Sequence, residues 1–137
     1  MQRKGKREWV RSQLIQARNE LETAKHHCYF GCDVCGLYGH TFHVCYSTVA
    51  KSIKALLYYH DREPGEIYDL KRLVVLASAV APGFESCMNT AIDLTRCGHL
   101  TETDFKYKPS DGEFKEAIQL AEELVAFVSA ALPEEVR

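Results

Sequence analysis

The apolar residues near the start of the chain recur at helical spacing, and this pattern constrains the fold more than any other. Their positions step by four, three, four, three and four residues: Val10, Leu14, Ala17, Leu21, Ala24 and Cys28. Because an α-helix turns once every 3.6 residues, these steps keep all of the side chains on one stripe. The pattern predicts a first helix over about residues 7 to 29, with one face against a core.

Four further stretches show the same period and are separated by glycine and proline. They predict helices over about residues 40 to 60, 67 to 80 and 84 to 98, and a last helix that opens with Ser110 and Glu113 in capping-box spacing. Side chains expected on their buried faces include Cys45, Val49, Ile53, Leu56, Leu57, Leu73, Val74, Val80, Phe84, Met88, Ile92, Ala121 and Leu124. No stretch alternates with period two for long enough to predict a strand. We therefore expect an all-α fold, an up-down bundle of about five helices.

The length and composition fit one such domain. The chain has 137 residues, of which 46% are apolar and 26% charged, a normal globular balance. We expect a single helical domain over residues 1–137, of a size that is also typical of a domain cut from a larger protein. The net charge of −2 argues against a general RNA-binding protein. The sequence predicts neither a membrane helix nor a signal peptide, so we expect a cytosolic or nuclear protein, with cytoplasmic as the favoured location, whose cysteines are reduced thiols or metal ligands.

The positive charges are concentrated at the start of the chain, in "MQRKGKREWVR". Arg3, Lys4, Lys6, Arg7 and Arg11 stand there against a single acidic residue. A short basic arm for an anionic partner is one interpretation. The favoured one is a frayed terminus exposed to solvent.

Three segments together resemble the HEPN domain family. The segment "VCYSTVAKSIKALLYYHD" is similar to the family's second-helix signature, with the "K-x-x-K-A-L-L" run at residues 51 to 57. The segment "REWVRSQLIQARNELETAK" is similar to its first helix, and "DFKYKPSDGEFKEAIQLAEELVAFV" is similar to its Arg-Tyr-Pro loop and last helix. The resemblance covers nearly the whole chain, with the helices in the same order.

The resemblance implies a helical bundle that dimerises. The "CYST" start of the second helix and the long first loop are most similar to the HEPN domain at the end of sacsin, a large chaperone-like protein. That similarity implies a module for homodimerisation and for binding a nucleotide such as GTP or ATP, with chaperone-system proteins as partners. Apart from the resemblance, the apolar run "LVVLASAVA" leaves room for a homodimer surface, whereas core packing is the favoured interpretation of any single one of its residues.

Many members of the family are metal-independent ribonucleases, which the resemblance associates with an Arg followed four to six residues later by a His. Arg18 and His26 are separated by seven residues, and Arg96 and His99 by two. The catalytic spacing is absent, so we expect no enzymatic activity. The alternative is a divergent ribonuclease that uses Arg96 and His99, which lie one turn apart if the helix continues through them.

The chain has no Walker-A loop and no G-x-G-x-x-G motif, so side chains would have to bind the phosphates of a nucleotide. Lys51 and Lys54 are three residues apart and share a helix face. Tyr107 is a candidate for stacking on the base. Lysine lacks the bidentate fork of arginine, so its recognition of phosphate is less oriented. The complete set of candidates is Lys51, Lys54, Arg96, Lys106, Tyr107 and Lys108.

Cysteine and histidine are concentrated in "HHCYFGCDVCGLYGHTFHVC". Cys32 and Cys35 form a plausible first pair of zinc ligands, and Cys28 with His40, His43 or Cys45 the second. A zinc site of this kind, with Cys28, Cys32, Cys35 and His40 as ligands, would make the chain a zinc-tethered protein-interaction module. Against zinc, both Cys28 and Cys45 fall on apolar stripes, where thiols pack as small hydrophobic groups.

Overall fold

A computed structural model describes residues 3–29, 37–66, 69–103 and 111–136. These ranges contain five α-helices and no strand, which confirms the prediction of an all-α bundle. The helices are α1 (Arg3–Tyr29), α2 (Leu37–Tyr59), α3 (Leu70–Ser78), α4 (Met88–Thr103) and α5 (Asp111–Ala131), with short 3-10 turns at Phe84–Cys87 and Glu134–Val136. None of the helices in the described ranges is long and apolar enough to cross a membrane.

Helix α2 lies at the centre of the bundle, because it packs against each of the other four helices. Its described side chains are therefore buried on most sides, and even two polar ones are fully covered. Thr48 donates a hydrogen bond to the Cys45 carbonyl oxygen at 3.0 Å, and Ser52 donates one to the Thr48 carbonyl oxygen at 2.8 Å. These local bonds satisfy hydroxyl groups that would otherwise be costly to bury.

The predicted apolar stripes account for most of the core. On α1, the stripe from Val10 to Ala24 is buried, and on α2 the core side chains include Cys45 and Ile53. The prediction was wrong for Ile92, whose side chain is 43% exposed. The core contact of α4 runs through Ala91 and Leu94 instead, and Ile92 falls outside it because each helical residue is rotated by about 100° from the one before.

The third helix is shorter than its predicted range, for a local reason. Asp69 caps its start: the carboxylate accepts a hydrogen bond from the Lys71 backbone N–H at 3.0 Å. After Ser78 the chain turns, and Gly83 has a φ of 92°, a left-handed conformation that glycine adopts without steric cost. The 3-10 turn Phe84–Cys87 follows Gly83 and leads into α4 at Met88.

The basic start of the chain is helical from Arg3, unlike the frayed terminus that its charge predicted. Lys6 forms an ion pair with Asp61, in the turn after α2. Arg7 forms a second pair with Glu135 near the end of the chain, at 3.1 Å. Lys6 and Arg7 therefore join α1 to the turn after α2 and to the 3-10 turn Glu134–Val136.

Candidate functional site

Two of the predicted nucleotide ligands, Lys51 and Lys54, lie on one partly exposed stripe of α2. Ser47 precedes them by four residues and Tyr58 follows Lys54 by four, and all four side chains are half-buried. Steps of four, three and four residues keep them on one face of the continuous helix. This stripe is partly accessible from solvent, and we call it the α2 stripe.

Lys51 is already engaged by a carboxylate. Its Nζ donates to Glu20 Oε1 on α1 at 2.8 Å, and both side chains are largely covered. A phosphate that binds Lys51 must compete with Glu20 for this ammonium group. Lys51 therefore joins α1 to α2 in the absence of an anion, and its contribution to anion binding is reduced by the cost of releasing that pair.

Lys54 has a different environment. Burial lowers the pKa of its ammonium group, and the negative charge of Glu66, in the loop after α2, opposes that effect. A partly buried ammonium group has already lost some of its hydration. Because less water has to be removed, an incoming anion meets a smaller desolvation cost at Lys54 than at a fully exposed lysine.

An aromatic pair lies at the Tyr58 end of the α2 stripe. The rings of Trp9, on α1, and Tyr58 have centroids 4.8 Å apart and are tilted by 56°. The Lys6 ammonium nitrogen lies 5.9 Å from the centre of the Tyr58 ring. Trp9 is 38% exposed, although it directly precedes the fully buried Val10. The sequence interpretation did not select Trp9. The signal available was that it is the only tryptophan in the chain and lies off the apolar stripe.

The side chains of the remaining predicted nucleotide ligands lie outside the part of the chain that the structure describes, so their place relative to the two lysines stays a prediction. Arg96 lies in α4, and its side chain is outside the described part. Lys106, Tyr107 and Lys108 lie outside the described residues altogether. Helix α4 is continuous through Arg96 and His99, which is the backbone condition of the ribonuclease alternative.

The structure describes only the backbone of two of the four predicted zinc ligands. Cys28 lies in α1 and His40 in α2, with side chains outside the described part, and Cys32 and Cys35 lie in the range 30–36, which is not described. Within the described ranges, no group of three or more His, Cys, Asp or Glu residues is arranged to hold a metal ion.

Two cysteines with described side chains belong to the core. Cys45 is fully buried, and Cys87 nearly so. Burial raises the pKa of the Cys87 thiol, the charge of Glu123 adds to this, and a hydrogen bond with Ser86 opposes it. Because the thiolate is the reactive form, Cys87 has the character of a packing residue and not of a nucleophile.

A separate shallow groove of about 500 Å³ runs along the outer face of α1. Its described lining mixes polar side chains with the apolar Ile15 and carries no cation, with Glu20 as the charged member. The lining residues are Ser12, Ile15, Gln16, Asn19, Glu20 and Thr23. These side chains offer little to a phosphate, so the α2 stripe is the better candidate for binding an anion.

Comparisons with known proteins concern the whole chain and not the site alone. The family model of the HEPN domain matches residues 10–132, which includes every described α-helix in whole or in large part. No curated protein and no solved structure matched the chain. The match covers nearly all of the sequence, with the helical bundle that the resemblance implied. The chain belongs to the HEPN domain family.

Proposed function

We propose that this chain is a non-catalytic HEPN module that forms a homodimer and binds a nucleotide or a similar anion. The observation that carries the proposal is the α2 stripe, where Lys51 and Lys54 lie side by side on the accessible face of the central helix. The sequence lacks the Arg–His spacing that the resemblance associates with ribonucleases. Binding without catalysis is what these two features support together.

The ligand that suits the α2 stripe is a nucleoside polyphosphate such as GTP or ATP. Two ammonium groups on adjacent turns can contact neighbouring phosphates, and neither imposes the geometry that arginine would. Glu20 and Glu66 offset part of the positive charge. We therefore expect modest affinity that weakens as the salt concentration rises.

The exposed apolar side chains of α3 and α4 support the homodimer. Val75 is 60% exposed and Leu76 40% exposed, both on α3, and Ile92 is exposed on the neighbouring α4. Val75 and Leu76 belong to the run that the sequence offered as a dimer face. Large apolar side chains that stay exposed on two helices in contact with each other are a feature of interaction surfaces.

The biological setting rests on the similarity to sacsin alone. The "CYST" start of α2 and the long connection before it support a place in a chaperone-related cytoplasmic protein, with chaperone-system proteins as partners. The family match is coarser than this assignment and supports the HEPN domain only.

Calorimetric titration tests the nucleotide claim. GTP, ATP and inorganic tripolyphosphate are added in turn to the purified chain. We expect saturable heat, with affinity reduced about tenfold in Lys54→Ala, since the lost contact involves a charged hydrogen bond. Lys71→Ala, which removes an exposed lysine from α3, is the matched control and should bind as the wild type does. No heat with any of the three compounds would remove nucleotide binding from the proposal.

Incubation with RNA tests the non-catalytic claim. We expect the RNA to stay intact in the presence of the chain. Cleavage that disappears in His99→Ala would show instead that Arg96 and His99 act as a divergent ribonuclease pair. Cleavage that persists in His99→Ala, and that a mock purification without the chain lacks, would also contradict the non-catalytic claim, with residues other than Arg96 and His99 responsible.

A further inference from the structure

The aromatic pair at the end of the α2 stripe is the one surface feature near the lysines that the sequence interpretation left without a role. Trp9 exposes more than a third of its surface, whereas the apolar stripe beside it on α1 is buried. Tyr58 contacts its ring from α2, at a centroid distance of 4.8 Å. An aromatic ring that is supported by a neighbour and open to solvent is suited to stacking on a planar ligand.

Lys54 connects this ring pair to the anion-binding side chains. It precedes Tyr58 by four residues on the same helix face, so their Cβ atoms are about 5–6 Å apart. Trp9, Tyr58 and Lys54 therefore form one continuous surface, with an aromatic platform at one end and an ammonium group at the other. A nucleotide has a planar base, which suits the aromatic platform, and a charged phosphate chain, which suits the ammonium group.

Acidic side chains near each lysine of this surface affect how readily that lysine binds an anion. Lys6 is paired with Asp61, and Lys51 is paired with Glu20. Lys54 is influenced by Glu66, which is exposed and lies in the loop after the helix. The charge of an exposed carboxylate is screened by water and salt, so Glu66 opposes an incoming phosphate only weakly.

We propose that Trp9 is the base-stacking platform of the nucleotide site, with the phosphates of the same nucleotide at Lys54. This inference rests on the proposed nucleotide-binding function and names the residue that would recognise the base. Tyr107, the stacking residue that the sequence predicted, lies outside the described residues and stays a separate prediction. Stacking is tolerant of base identity, since every base has a π face, so GTP and ATP should bind with similar affinity.

Tryptophan fluorescence is the direct test, because Trp9 is the only tryptophan in the chain. The protein is excited at the red edge of its absorption, where nucleotides do not absorb. Saturating GTP or ATP should quench the emission, since a stacked base contacts the indole ring. Tripolyphosphate, which has no base, should release heat in calorimetry and leave the emission almost unchanged.

Two pairs of variants sharpen the test. Trp9→Ala should weaken GTP binding about tenfold in calorimetry, and Trp9→Phe, which keeps a ring, should retain most of the affinity. Glu66→Gln removes the competing carboxylate and should strengthen binding, a gain that a folding defect cannot produce. Lys71→Ala should leave both the quenching and its midpoint unchanged.

The outcomes separate this inference from the proposed function. If GTP releases heat but neither quenches Trp9 nor loses affinity in Trp9→Ala, nucleotide binding stands and the Trp9 platform is wrong. If GTP, ATP and tripolyphosphate all fail to release heat, the proposed nucleotide binding fails and the platform fails with it. Quenching by GTP that tripolyphosphate reproduces in full would also overturn the platform, because it would show that the base is not needed.

Discussion

The surroundings of Lys54 determine the pH range in which its side chain carries a charge. Burial lowers the pKa of its ammonium group below the ordinary lysine value. Below that lowered pKa the group is charged and can bind a phosphate, and above it the group is neutral and cannot. A phosphate bound at Lys54 should therefore be lost at a lower pH than one bound at an ordinary exposed lysine.

This gives a prediction for the pH dependence of anion binding. The part of the affinity for tripolyphosphate that Lys54→Ala removes should fall as the pH rises towards the ordinary lysine pKa, starting before that value is reached; comparing the two proteins cancels the titration of the phosphate itself. Calorimetry at a series of alkaline pH values measures it, and circular dichroism at each value checks that the chain stays folded. A difference between the two proteins that holds until the ordinary lysine pKa would contradict the role of Lys54.

Single residues also mark where sequence reasoning succeeded and where it could not succeed. The spacing of three and four residues correctly predicted that side chains such as Val10 and Ile53 are buried. The geometry of a single helix decides which side chains share a face, so a local pattern is enough. Ile92 was misplaced because it lies beside the buried position Ala91, and the period alone does not fix the edge of a stripe. Trp9 was overlooked because its contact with Tyr58 joins two helices that are distant in sequence, and no local pattern shows such a contact.

At the scale of the helices, α3 depends on its cap. Asp69 accepts a hydrogen bond from the Lys71 backbone N–H, one of the groups that a helix start leaves unpaired. Asp69→Ala should lower the free energy of unfolding by about 1 kcal/mol, measured by urea denaturation. Asp69→Asn keeps a side-chain oxygen that can accept this bond, so it should lose much less. Equal losses in both variants would show that the cap does not act through this hydrogen bond.

The central position of α2 predicts a much larger effect for its buried side chains. Leu56 is fully buried between α2 and its neighbours, so Leu56→Ala removes apolar contacts and leaves a cavity. We expect a loss of roughly 2–5 kcal/mol in the free energy of unfolding. Val75→Ala removes an exposed apolar side chain from α3 and serves as the control. In the monomeric chain its free energy of unfolding should change by less than about 0.5 kcal/mol. Similar losses for the two variants would contradict the described packing of α2.

The sequence predicted the order and approximate extent of the helices more reliably than their ends. Proline and glycine after α2 and α3 interrupt the helical period visibly, so the breaks were predictable. The true start of α3 depends on a side-chain cap, and α4 runs on to Thr103, past its predicted end at residue 98. The candidate site was predictable only in part, since the shared face of Lys51 and Lys54 is local, whereas the ion pair of Lys51 with Glu20 requires the packed bundle.

At the scale of the whole molecule, the exposed apolar side chains on α3 should hold the homodimer together. Val75→Glu and Leu76→Glu would each place a charge in that interface and should shift the chain towards the monomer. Ile15→Glu changes an equally exposed apolar side chain on α1 and is the matched control. Sedimentation equilibrium measures the masses. A dimer that survives both α3 variants would place the interface elsewhere on the bundle.

Sedimentation velocity with a fluorescently labelled GTP tests the central claim most directly, because it reports assembly and nucleotide binding together. The protein boundary gives the mass of the assembly, and the absorbance of the label shows whether the nucleotide moves with it. We predict that the label sediments with a species of twice the 15.6 kDa chain mass. A label that stays in the slow boundary of the unbound nucleotide, or a protein that sediments as a single chain at all concentrations, would contradict the account.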